Sequence, residues 1–252
     1  MKSKFLALFS REFSGRLWQA WIFPLAAALF QPLLYWLAVR EMYEPARFEE
    51  LYASSAAPIL LAVLFAALTG WMVWLTVRDF SNGSICTLLT LPGSRGRIWL
   101  SKLSAFCAAL LLLWAGVLTG IGLCYLVFSG RCAEIARATG QDFRLDAGLW
   151  LGLTRSSLFR ILCPMTLPEI CTSLLLFLTL PLLAAWAGWT FAGRHFARGG
   201  LLSIAAVGLW VLLLRERLLY PDEIPLQYAV VLLGTLAVAA IDSLQTVRRA
   251  DF

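Results

Sequence analysis

Apolar residues along this chain come in long, nearly unbroken runs, over residues 18–39, 55–77, 103–128, 169–191, 199–214 and 224–241. A helix of roughly 20 apolar residues crosses a hydrocarbon core, and each run predicts one such crossing. The run 199–214 is short, which predicts a thin crossing or one that leans on its neighbours. Backbone groups in lipid must bond within their own structure, so only helices or a closed barrel can span it. The runs show no period-two alternation, and the barrel drops out. The pattern therefore predicts an all-α polytopic membrane protein with six transmembrane helices, folded as one domain over residues 1–252.

Ahead of the first run, Phe5, Phe9, Phe13 and Leu17 recur every four residues among Lys2, Lys4, Arg11 and Arg16. One apolar stripe edged with basic residues predicts an interfacial helix over 1–17 that lies in the membrane surface. A secretory signal is the competing reading. The apolar core that follows is long, contains Pro24 and Pro32 and lacks a small-residue cleavage site, so the segment is expected to be retained.

Two of the intervals between the runs are long and polar. Residues 129–168 carry Arg131, Arg137, Arg144, Arg155 and Arg160 with Glu134, Asp142 and Asp146. The second half of this interval is moderately apolar, but an arginine near a helix centre costs about 2.5–3.5 kcal/mol on insertion scales. It reads as an interfacial or partly re-entrant extracytoplasmic insertion. In residues 78–102, RDFSNGSICTLLTLPGSRGRIWLSK, Gly83 and Ser84 supply a turn and a helix N-cap. Ile85, Leu88 and Leu89 then share one face, and Pro92 with Gly93 stops the helix after about two turns. Arg95, Arg97 and Lys102 place positive charge where anionic headgroups would lie.

With the N-terminus inside, 12 of the 21 basic residues but only 4 of the 15 acidic ones fall on the inner side. This obeys the positive-inside tendency and puts both termini in the cytoplasm. Composition agrees with lipid as the solvent: 60% of the 252 residues are apolar and 14% charged, and mean hydropathy is +0.78. The net charge of +6 is spread among membrane-flanking loops, so it implies topology and not a nucleic-acid partner.

The interval 78–102 resembles the linker of ABC transporter permeases of the type-2 exporter class. The matching residues are Asp79, Gly83, Ser84, Leu88, Leu89, Pro92, Ser94, Arg95 and Lys102. The chain departs from the family pattern at Cys86, where a Glu is usual, and at Val77 to Asp79, where a Glu-Arg-Glu run is common. The resemblance implies a short cytoplasmic coupling helix, with Asp79, Gly83, Ser84, Ile85, Leu88, Leu89, Pro92 and Arg95 as its coupling residues. It further implies a separate ABC ATPase subunit, a second permease copy or related permease as dimer partner, and a bacterial cytoplasmic membrane. The turn around Arg194 to Ser203 looks like that of haem-exporter-type permeases.

Candidate chemistry within the chain is sparse. The sole histidine, His195, sits in a basic turn, which leaves too few members for a metal cluster or a nucleophile triad. No GxxxxGK[ST] phosphate loop occurs, so ATP and Mg would be bound by a partner, and the chain carries no cofactor or enzymatic site of its own. Glu49 and Glu50 read as loop charge. Cys132 and Cys163 both fall in the proposed outer loop and make a possible disulfide. Trp186 and Trp189 flank Gly188 and read as packing residues. Two other function classes stay open at this level: a transporter or channel that works without ATP, and a membrane assembly or immunity factor that transports nothing.

Overall fold

The computed structural model describes residues 4–15, 18–41, 46–82, 95–140, 148–192, 196–220, 223 and 225–249. They are helical almost throughout. In order these are α1 (Lys4–Gly15), a 3-10 turn (Trp18–Trp21), α2 (Ile22–Val39), α3 (Phe48–Ser54), α4 (Ala57–Ser81) and α5 (Arg95–Thr139). There follow α6 (Gly148–Arg155), α7 (Ser157–Leu162), α8 (Leu167–Ala192), α9 (Phe196–Leu219) and α10 (Leu226–Arg249).

Among the described residues, five helical stretches are long and apolar enough to cross a membrane: Trp18–Val39, Ala57–Asp79, Gly96–Thr139, Leu167–Gly188 and Leu226–Gln245. The chain is thus an α-helical, multi-pass membrane protein. The fifth expected crossing is the middle of α9, whose apolar part ends at Arg215, Glu216 and Arg217, and it is not one of the five. Residues 148–162 hold no single helix long enough to cross a membrane. They form two helices of 8 and 6 residues, about 12 and 9 Å long at 1.5 Å per residue.

The helix α5 holds 45 residues, about 68 Å, or roughly twice the thickness of a hydrocarbon core. Its uncharged part lies between Lys102 and Arg131, with charged residues on the extensions at both ends. Gly140 ends it at φ 68°, a left-handed conformation that costs glycine little. The Gly140 N–H donates to the Ala136 carbonyl at 2.9 Å.

The chain forms two compact units. The first comprises Met1–Gln19, Ala67–Leu110 and Cys171–Phe252, and the second Ala20–Ala66 and Leu111–Ile170. In the second unit, α5 buries Leu113, Val117, Ile121, Cys124, Phe128, Cys132 and Ile135, a helical stripe. Gly116 and Gly120 let α2 come close: a Cβ on Gly116 would lie 2.5 Å from Pro24 Cα, and one on Gly120 would lie 2.6 Å from Gln31 Nε2. Their G-x-x-x-G spacing therefore serves packing inside the chain.

The far end of this unit is an aromatic cluster. Phe48 and Phe159 stack at 5.7 Å, Tyr52 meets Phe159 at 4.8 Å, and Tyr35, Tyr125 and Phe128 surround Phe48. Tyr52 donates its hydroxyl to Gln31 Oε1 at 2.8 Å, and Gln31 Nε2 donates to the Ala27 carbonyl at 3.0 Å. Burial raises the Tyr52 phenol far above its ordinary pKa, so it remains a donor. Ser55 turns the chain from α3 into α4 by accepting the Ala57 N–H at 3.2 Å.

Glu169 reaches back from α8 to accept the N–H groups of Met165 and Thr166 at 2.9 and 3.2 Å, and Arg160 Nε donates to it at 2.9 Å. That carboxylate fixes the entry to α8 in the manner of a capping box. In the first unit, α1 makes a helix of residues Lys4–Gly15 within the 1–17 stretch. Its Phe9 and Phe13 rings stack at 5.8 Å, Glu12 turns inward and Arg11 stays exposed.

Candidate functional site at the base of the linker

The first unit brings four helix ends together around the flanks of the linker. On α4, Thr76 and Asp79 are i and i+3 and share the inward face, while Arg78 turns out and lays its guanidinium 5.1 Å over the exposed Trp74 ring. On α5, Ser101 and Lys102 are buried in the second turn, and the Ser101 hydroxyl donates to the Ile98 carbonyl at 2.8 Å.

Lys102 Nζ donates to Asp79 Oδ2, joining α4 to α5. Their side chains are 5% and 8% exposed, so the two charges are removed from solvent as a pair. A charge in that position costs several kcal/mol unless an opposite charge meets it, which makes the contact obligatory for both.

Three further contacts complete the arrangement. Thr76 is fully buried and donates its hydroxyl to the Met72 carbonyl at 3.0 Å, which turns its methyl side toward α8. There Gly188 leaves just enough space: a Cβ on it would lie 2.4 Å from Thr76 Cβ and Cγ2. Trp186, 1% exposed, donates its indole N–H to Asp242 Oδ2 of α10 at 3.2 Å. Gly96 of α5 faces Leu244 of α10, and a Cβ there would sit 3.7 Å from the leucine methyl. The sequence Asp79–Lys102, Thr76–Gly188, Trp186–Asp242 and Leu244–Gly96 therefore closes a ring through α4, α8, α10 and α5.

The expected coupling residues divide accordingly. Asp79 is in the ring, and Arg95 is the first residue of α5. Gly83, Ser84, Ile85, Leu88, Leu89 and Pro92 lie outside the described residues, as do Cys86 and His195. Cys132 and Cys163 are free thiols, so the structure does not contain the suggested bridge. Cys132 belongs to the buried stripe of α5, and Cys163 is the residue that ends α7. Glu49 and Glu50 open α3, where Glu50 lies 3.6 Å from Arg47 in an exposed pair.

Sequence reading did not find the partnership of Trp186 with Asp242, nor the contact of Gly188 with Thr76. One signal was present: a glycine between two tryptophans within an apolar run marks a close approach. The helix that it approaches was not legible.

No protein-family model, no curated protein and no solved structure matches this chain.

Proposed function

We propose that this chain is the membrane-spanning subunit of an ATP-driven exporter of the type-2 ABC class, coupled to a separate ATPase subunit and paired with a second permease. In this reading α9 makes the sixth crossing, both termini face the cytoplasm of a bacterial cell, and residues 78–102 dock on the ATPase. The observation that carries it is the meeting of Asp79 and Lys102, the two ends of the family-like pattern, in one buried contact. A segment pinned at both roots transmits a displacement, whereas a loop tethered only by its chain absorbs it. ATP binding would close the ATPase dimer, move the docked linkers and rearrange the permease interface between inward- and outward-open forms.

The test is affinity capture of the tagged chain in mild detergent. A P-loop ATPase subunit should co-purify with wild type and be lost from Leu88→Glu, while membrane insertion stays intact. Absence of any ATPase from the wild-type capture, or unchanged recovery with Leu88→Glu, overturns the proposal. Labelling of Ser94 from the exterior would do the same. Cargo movement by the purified chain alone, without nucleotide, would favour a transporter that works without ATP.

A further inference from the structure

Asp79 and Lys102 are 23 positions apart, and among the described residues their contact joins the last turn of α4 to the second turn of α5. Beside the pair, Arg78 covers Trp74, and Arg97 is exposed. The position of the pair is selective. One turn before it on α4, Thr76 is wedged against Gly188, and one and a half turns before it on α5, Gly96 faces Leu244. A change in spacing between the roots of the linker would therefore be felt at both of those packed contacts.

We propose that Asp79 and Lys102 are positioning residues that hold the two roots of the linker at one fixed spacing, so that a push on the linker moves α4 and α5 together and enters the helix ring. The pushing partner belongs to the exporter reading above, and this part of the inference rests on it. The fixed spacing does not.

The experiment measures that spacing directly, with no nucleotide or partner. Spin labels are placed at two exposed positions beside the pair, Ser81→Cys and Arg97→Cys, in full-length protein whose six native cysteines are replaced by alanine. Double electron–electron resonance should give one narrow distance distribution. Asp79→Asn or Lys102→Met should broaden it about twofold or more, because a helix end released from its partner samples several positions. The charge-swapped protein with Asp79→Lys and Lys102→Asp should return to the narrow width, as should the conservative Asp79→Glu.

Glu169→Gln breaks an ion pair in the other unit and serves as the control for general loosening. It should leave the width unchanged. Wild-type width in the single variants, or equal broadening by Glu169→Gln, overturns the proposal. If the single variants fail to accumulate, the swap decides. A swapped protein that accumulates with the narrow width sustains the proposal, and one that does not overturns it. A narrow wild-type distribution in a protein that captures no ATPase would sink the exporter reading and leave the fixed spacing standing.

Discussion

The two units hold themselves together by different means. The second is secured by area: five aromatic rings gather around Phe48, and the hydrogen bonds there are accessory to that packing. The first is secured at its linker end by points, namely one ion pair, one glycine contact and one indole–carboxylate bond. Contacts spread over area respond to damage in proportion, because each ring keeps most of its neighbours when one is trimmed. Point contacts are nearly all-or-none, since a buried charge or a glycine gap too small for a Cβ has no intermediate form. The end bearing the linker is thus the one built from elements that either engage or do not.

The largest expected effect follows from the ion pair. Lys102→Met removes the opposite charge from the buried Asp79 carboxylate, and thermal or denaturant unfolding in detergent should show a loss of about 3–5 kcal/mol. Replacing both partners by apolar residues of similar size should recover most of it. If the single and double variants lose equally, the contact is not a point contact in the sense used here.

Next in size is Gly188→Ala. The added methyl meets Thr76 at 2.4 Å, and overpacking of this kind costs about 1–3 kcal/mol. Gly122→Ala on α5, where a Cβ meets nothing within 4 Å, should be neutral or stabilise by up to about 1 kcal/mol. The same unfolding assay separates the two. Combining Gly188→Ala with Thr76→Ser, which removes the opposing methyl, should restore part of the loss.

The smallest effect belongs to the area-built unit. Phe159 is fully buried between Phe48 and Tyr52, yet Phe159→Leu keeps most of its volume and should cost below about 1.5 kcal/mol. A loss as large as that of Lys102→Met would erase the contrast between the units.

Much of the fold was legible because lipid imposes a simple rule on sequence. The first crossing falls on Trp18–Val39 as expected, and the runs beginning at 55, 169 and 224 became α4, α8 and α10 with ends shifted by a few residues. Helix ends were harder to read. The expected third crossing of 103–128 is the middle of α5, because Arg95, Arg97, Lys102, Arg131 and Arg137 end an apolar run without ending a helix. Charged residues such as Arg and Lys, unlike Gly or Pro, carry little penalty to backbone helicity, so hydropathy sees the membrane and not the rod.

Within the linker, the outer residues Asp79 and Lys102 were legible as members of a pattern, but their direct contact was not. Pairing across 23 positions depends on how α4 and α5 come to lie against each other, which local spacing does not encode. The arginines of the 148–162 segment argued against one long apolar helix there, while its division into two short helices at Ser156 was not legible.

The approach of Thr76 to Gly188 carries a consequence for how this protein can drift. Position 188 has no room for a side chain against Thr76, whose Cβ and Cγ2 would both lie 2.4 Å from an added Cβ. Descendants of this chain should therefore exchange the two sites in tandem, a larger residue on one helix arriving only with a smaller one on the other, and a survey of natural variants would reveal a coupled couplet where either position alone looks immobile.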